Sequence, residues 1–144
     1  MSSDGAFIAG YVTDGGAEKA CRWDWNGTTY VLNILSGATS GSYALGVSAS
    51  GTVVGVGGGA FIWDDVNGYR NLQSVLVGYG VDMTGWSLSQ ASAISADGRT
   101  IVGLGTHNGL TEGFVATIPE PGTFAALAMG MASIGGMLIR RRRS

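Results

Sequence analysis

The stretch VSASGTVVGVG (Val47–Gly57) recurs as ISADGRTIVGLG (Ile94–Gly105), and SSDGAFIAGYV (Ser2–Val12) opens the chain in the same pattern. Gly5, Gly51 and Gly98 fall about 46 residues apart, a period typical of four-stranded propeller blades. Each copy sets Asp-Gly or Ser-Gly before a short β-branched run that ends in glycine. Glycine supplies the positive φ of a tight turn, and the residues after it alternate between the two faces of a strand. The repeat predicts an all-β chain with Thr52–Val56 and Thr100–Leu104 in equivalent strands.

A second element lies between these turns. CRWDWNGTTYVLN (Cys21–Asn33) and AFIWDDVNGYRNL (Ala60–Leu72) share Trp-Asp, then Asn-Gly, then an aromatic-led strand. Asn26-Gly27 and Asn67-Gly68 are strong signals for two-residue hairpin turns. Trp23 and Trp63 become equivalent positions, expected as core wedges between neighbouring sheets. The alternative for both, and for Trp86 in the longer connection Gly80–Ser95, is stacking on a ligand. The third copy begins as EGFVATI (Glu112–Ile118) and runs directly into Pro119 without its hairpin.

Residues 1–118 are thus expected to form propeller-like, four-stranded antiparallel repeats with no soluble helix. One such sheet cannot bury both faces alone, so neighbours must stack. The chain holds about two and a half copies, against about four to eight blades in a closed propeller. The strand matching YALGVS (Tyr43–Ser48) has no counterpart before Ser2, which suggests the C-terminal part of a larger protein.

Composition narrows the chemistry. The 144 residues include 26 glycines and two prolines, and only 12% are charged. Four of the eight basic residues are Arg140, Arg141, Arg142 and Arg143, so everything before them is acidic. That excludes nucleic acid as a partner of the domain, because phosphate binding needs clustered Lys and Arg. Cys21 is the single cysteine, which rules out an intramolecular disulfide or a cysteine-based zinc site. His107 is the single histidine, expected in an exposed loop, and supports neither a triad nor a metal cluster. GVGGGA (Gly55–Ala60) imitates a dinucleotide loop, but a strand rather than a helix follows. Asp64, Asp65 and Asn67 lack the glutamate of a calcium loop and fit a solvated turn. Asn26-Gly27-Thr28 matches a glycosylation acceptor and is better explained as a turn. No enzyme, cofactor or metal is expected.

The tail has a different composition. Gly122–Ile139 carries no charge, and as a helix these 18 residues would span about 27 Å, close to the hydrocarbon core of a bilayer. The arginines after it would keep that end cytoplasmic and put the repeats on the opposite side. Pro119 and Pro121 hold their segment extended. Together Pro119-Glu120-Pro121, the apolar run and Arg140–Arg143 resemble the PEP-CTERM sorting signal, over residues 119–144. The resemblance implies delivery to an inner-membrane exosortase-like enzyme, cleavage near Pro119–Pro121, and release to the surface or extracellular matrix of an exopolysaccharide-producing Gram-negative bacterium.

Most of Ser2–Ile118 resembles HAF-type extracellular repeats, through GAFIWDD, DMTGWSLSQASAISADGRTIVG and EGFVATIPEP. MSSDGAFIAG has neither the basic start nor the apolar core of a secretory leader. The expectation is therefore a start further upstream, or a truncated product that is not exported. The leading functional expectation is a non-enzymatic surface or matrix protein. Its alternatives are a carbohydrate-binding module of the exopolysaccharide matrix and the non-catalytic end of a larger extracellular hydrolase.

Overall fold

A computed structural model describes residues 1–118 and the backbone of 138–143. The described residues form three antiparallel sheets and close no barrel. Sheet 1 contains β1 (Phe7–Asp14), β2 (Ala17–Trp25) and β3 (Tyr30–Ile34). Sheet 2 contains β4 (Tyr43–Val47), β5 (Val53–Val56), β6 (Ala60–Asp64) and β7 (Gly68–Asn71). A short helix, α1 (Leu72–Gly78), leads to sheet 3, built from β8 (Trp86–Ile94), β9 (Thr100–His107), β10 (Leu110–Thr117) and β11 (Leu138–Arg143).

The repeat is visible atom by atom at its turns. Ser2, Ser48 and Ser95 each use the hydroxyl to accept a backbone N–H, from Phe7, Thr52 and Thr100 respectively. The carbonyls of the same three serines accept the N–H of Gly5, Gly51 and Gly98. Those glycines have φ of 74°, 92° and 74°, a left-handed conformation that a side chain would strain. Thr52 ends the second turn and Thr100 begins β9, so the two runs predicted to be equivalent occupy the second strands of successive four-stranded sheets.

Strand alternation sorts the side chains into two stacked cores. Phe7, Ala9 and Ala20 of sheet 1 meet Val53, Phe61 and Trp63 of sheet 2. The other face of sheet 2, with Val54 and Ile62, meets Leu88, Ile101 and Phe114 of sheet 3. Leu72 and Leu76 of α1 fill the same second core. Their i, i+4 spacing puts them on one side of the helix, and the side chain of Asn71 caps its start by accepting Ser74 N–H. The sequence reading expected no soluble helix. Seven residues are too few for a periodic signal, and burial of one face sustains this one.

The Asn-Gly expectation also needs correction. Asn26 begins a four-residue loop, and its side chain accepts the N–H of Thr28 and Thr29. Asn67 ends a three-residue loop tied to Asp64, which accepts the N–H of Val66 and Asn67, while Gly68 takes φ 72°. Side-chain acceptors thus set these loop lengths. The two-residue turns are Gly15-Gly16 and Asn108-Gly109, with positive φ at both residues. His107 accordingly lies at the end of β9, largely covered, and not in an exposed loop.

The tail differs from expectation where it is described. Pro119, Glu120, Pro121 and residues 122–137 lie outside the described residues. Leu138 and Ile139 are strand rather than the end of a helix, and Arg140–Arg143 continue that strand along β10. Backbone groups of Glu112–Thr117 would otherwise be an open edge, and in water a short segment satisfies them. Ile139 opposes Ala116 as Tyr69 opposes Trp63, so β11 holds the place in sheet 3 that β7 holds in sheet 2. Among the described residues no helix is long and apolar enough to cross a membrane.

Two glycines tie the first strands of sheets 2 and 3 to the second. A methyl group on Gly55 would strike the carbonyl oxygen of Tyr43, and one on Gly103 that of Gln90. Gly103→Ala should cost about 3 kcal/mol, measured by urea denaturation, whereas Gly78→Ala, in open space, should be close to neutral. The turns also set an acid limit. Asp97 is held below the ordinary carboxylate range by the Ser95 hydroxyl and the Arg99 N–H. A carboxyl lowered on folding adds stability above its unfolded pKa, about 3.9, and this is lost as pH falls through the folded value. The melting-temperature deficit of Asp97→Asn should therefore be present at neutral pH and shrink on acidification to pH ~3.

Candidate functional site

Pro119-Glu120-Pro121 follows the end of β10 in the sequence. Ile118 N–H donates to the Arg99 carbonyl at 2.6 Å, and Arg99 Nε reaches the Ile118 carbonyl at 3.4 Å. Ile118 itself is buried. The sheet structure is thus pinned at the residue directly before Pro119. A shallow cleft of about 250 Å³ opens beside this exit between sheets 2 and 3, lined by Ile62, Asp64, Arg70, Asp97, Arg99 and Ile118 among others. Asp64 is committed there. Burial raises its pKa, but the Asn67 and Val66 donors and Arg70 outweigh that and hold it low.

The arginine run lies on the other side of β10. Arg140 opposes Val115, Arg141 Phe114, Arg142 Gly113 and Arg143 Glu112. Residues 140–143 therefore lie along the edge of β10.

The tryptophans do not share a face. Trp63 is buried between sheets 1 and 2, and its indole N–H donates to Ser36 Oγ at 3.2 Å, which fits the expected wedge. Trp23 has the matching place in β2, opposing Leu32 as Trp63 opposes Tyr69. Its ring instead lies over Gly10 on the face of sheet 1 turned away from sheet 2. The two environments differ because no described sheet covers that face. Trp25, two residues along β2, is 47% exposed and packs on Tyr30 at 5.0 Å between ring centroids. Trp86 sits in sheet 3 with its ring 4.6 Å from His107. His107 Nδ1 lies 3.5 Å from a carboxyl oxygen of Glu112, which is fully buried. Glu112 was not singled out in the sequence, where a glutamate between Thr111 and Gly113 looks like a surface residue.

Arg22 was missed as well. It is 5% exposed and lies between the rings of Phe7 and Trp63, at 4.6 and 4.9 Å from their centroids. Nε and Nη2 fork onto Asp24 at 2.6 and 2.7 Å. Nη1 donates to the Gly51 carbonyl at 2.8 Å and approaches Asp65 at 3.3 Å. Burial disfavours this charge, yet Asp24 and Asp65 outweigh it and raise the pKa. β2 also carries Glu18 and Lys19, so nothing in the strand's own sequence singles Arg22 out. Cys21, beside it, is buried, which pushes its thiol up to about 11.

Among the described residues no three acidic, histidine or cysteine side chains are grouped for a metal ion. Comparison with family models, curated proteins and solved structures gave no match.

Replacing Arg22 by Ala should cost about 2 kcal/mol, since its aspartate partners are partly solvated and lose little by being left alone. Arg22→Lys should recover less than half of that, because a lysine cannot make the planar fork. Chemical denaturation of the three proteins measures both. Cys21 should resist alkylation at pH ~8 in the folded protein and react on unfolding, as a buried protonated thiol does.

Proposed function

We propose that the chain is a non-enzymatic cell-surface or extracellular-matrix protein whose C-terminal segment is a PEP-CTERM-type sorting signal. Its three sheets are propeller-like blades of a binding or structural scaffold, with exopolysaccharide as the surrounding matrix. Gly122–Ile139 is the membrane-inserted part of the signal, and an exosortase-like enzyme cuts near Pro119-Glu120-Pro121.

The observation that supports this most directly is the position of the motif. β10 ends at Thr117 and Ile118 is bonded to Arg99 directly before the motif, so cleavage after Ile118 would leave β1 to β10 whole. Its 18 residues as a helix would reach about 27 Å, close to the hydrocarbon core, and the arginines that follow can extend to the interface. Insertion would draw Arg140–Arg143 off β10 and retain them on the cytoplasmic side.

A carbohydrate-binding reading has narrower support. Trp23, Trp25 and Tyr30 share the uncovered face of sheet 1 and could stack on sugar rings, whereas Trp63 and Trp86 lie elsewhere.

The test is the mass of the protein recovered from the matrix of an exosortase-containing host, with an export signal supplied. Loss of the arginines is expected, and replacing Pro119, Glu120 and Pro121 with alanine should leave insertion intact but prevent the loss. An intact arginine tail on matrix protein would refute sorting by cleavage. Neutral substitution of Arg140–Arg143 should weaken the fixed orientation, read by protease protection of the cytoplasmic end.

A further inference from the structure

β3, β7 and β11 hold equivalent places as the last strands of their sheets, each paired on one side only among the described residues. The open edge of β3 thus belongs to the repeat itself. The three edges differ in chemistry. β7 contains Gly68 and Arg70 and runs directly into α1, and β11 carries Arg140–Arg143. Charge on an edge strand keeps it from pairing with another chain. β3 (Tyr-Val-Leu-Asn-Ile) has no glycine, proline or charge, and no charged residue occurs from Trp25 to Trp63. We propose that β3 is a self-association site, where two copies of this chain pair edge to edge as antiparallel strands about a two-fold axis at Leu32. This goes beyond the sorting proposal and does not depend on it.

The backbone decides which groups the edge offers. Leu35 N–H donates to the Ala20 carbonyl, and Asn26 N–H donates to the Thr29 carbonyl. The register between these two bonds is regular, so Thr29, Val31, Asn33 and Leu35 turn their backbone groups toward β2. Tyr30, Leu32 and Ile34 turn theirs outward, where no described strand receives them. Setting Leu32 opposite Leu32 of a second copy also sets Tyr30 opposite Ile34, once on each side of the axis. Each of these pairs then exchanges two backbone hydrogen bonds.

The side chains suit a copy of the same strand. Val31, Leu32 and Ile34 are 43%, 44% and 41% exposed, so the apolar residues of β3 have no cover of their own. Directly opposed residues share a face, which puts Tyr30, Leu32 and Ile34 on one side with Trp25 and Trp23. In the joined sheet Leu32 meets Leu32, with Tyr30 against Ile34 on either side, and the apolar row of one copy continues into the other. Val31 meets Asn33 on the opposite face. No like charges meet, whereas β11 paired with itself would bring its arginines together. Tyr30 is fixed for this role, since its hydroxyl donates to the Gly5 carbonyl at 2.7 Å and its ring packs on Trp25. Beyond Ile34, Leu35 is buried and Ala38 packs on the core between sheets 1 and 2, so the chain leaves the edge inward. A patch that fits its own copy in this way defines a closed dimer.

The probe is the full chain, compared by hydrogen–deuterium exchange at about 1 µM and about 500 µM, a range that spans the weak association expected of a small interface. At the higher concentration the amides of Tyr30, Leu32 and Ile34 should slow by about tenfold, with β1 and β10 unchanged. Leu32→Lys sets two ammonium groups face to face and should abolish the slowing. Val66→Lys, at a loop residue that is 91% exposed, should leave it intact. Mixing equal amounts of the Leu32→Lys and Leu32→Asp proteins should restore it, because the two side chains meet only in the two-fold register. Exchange at β3 that ignores concentration, slowing that survives Leu32→Lys, or a mixture that restores nothing would each overturn the proposal. Slowing at β1 or in sheet 3 instead would also overturn it and assign association to another surface. Should a Leu32 variant lose protection in sheet 2, and so fail to fold, the concentration dependence of the unaltered chain decides alone.

Discussion

The seam between sheets 1 and 2 is built around one buried cation, with the bonds of Ala20 to Ser42 and of Gly41 and Tyr43 to Glu18 beside it. At the position of Arg22, sheet 2 has Ile62 and sheet 3 has Val115, as the shared register of the three sheets shows. The second seam is apolar at its centre, with the Ala49 N–H on the Ala96 carbonyl and Gln73 of α1 on Trp86 and Leu88 as neutral hydrogen bonds across it. The first must solvate a guanidinium inside protein, which is costly unless hydrogen bonds and opposite charge replace the water. Asp24 lies on the same strand and can neutralise the charge without fixing any neighbour. Gly51 and Asp65 belong to sheet 2, to the turn before β5 and the loop after β6. Their bonds to Arg22 therefore fix how sheet 2 sits on sheet 1, a geometry that a purely apolar contact would leave looser. The rings of Phe7 and Trp63 on either side of the guanidinium keep water out of this joint.

Legibility in the sequence followed the range of the force involved. The turns could be read because Ser, Asp and Gly act within about five residues of themselves, as the repeated bonds of Ser2, Ser48 and Ser95 show. The period then gave the three sheets and the equivalence of β5 with β9. Asn26-Gly27 and Asn67-Gly68 misled because Asn26 and Asp64 can also accept backbone N–H groups, and that competing local bond set the loop length. Arg22 and Glu112 were not legible for a different reason. Their burial is decided by what a neighbouring sheet or strand brings to them, and no short window of sequence contains it. The helix α1 belongs to the same class, being stabilised by Leu72 and Leu76 in a core built by sheets 2 and 3.

The uneven ends of the stack follow from the same division. Trp63 and Trp23 occupy one repeat position, yet one is a wedge and the other lies on an uncovered face. Position in the repeat fixed their direction, and the presence or absence of a next sheet fixed their burial. The same holds for Trp25, whose exposure reflects the end of the stack rather than a special surface. An aromatic platform on sheet 1 is thus what the wedge face of any repeat looks like when nothing lies on it, and this weakens sugar stacking as its explanation.

Strand edges impose the remaining constraint, and they distinguish strands that are permanent from those that can leave. β4 and β8 are anchored by buried Ala44 and Ala91, and a carbonyl of each fits over a glycine that no other residue could replace. Removing either strand would open a core. β11 stands at the opposite edge of sheet 3, on β10, whose Phe114 and Ala116 are already packed against sheet 2. Among the described side chains, the apolar core between sheets 2 and 3 is assembled from residues up to Ile118, and the β10 backbone groups that β11 pairs with are ones that water can satisfy. On the proposed function, an edge that either β11 or solvent can satisfy would let the tail pass to a membrane without dismantling β4 to β10. That is the physical condition a removable sorting segment has to meet.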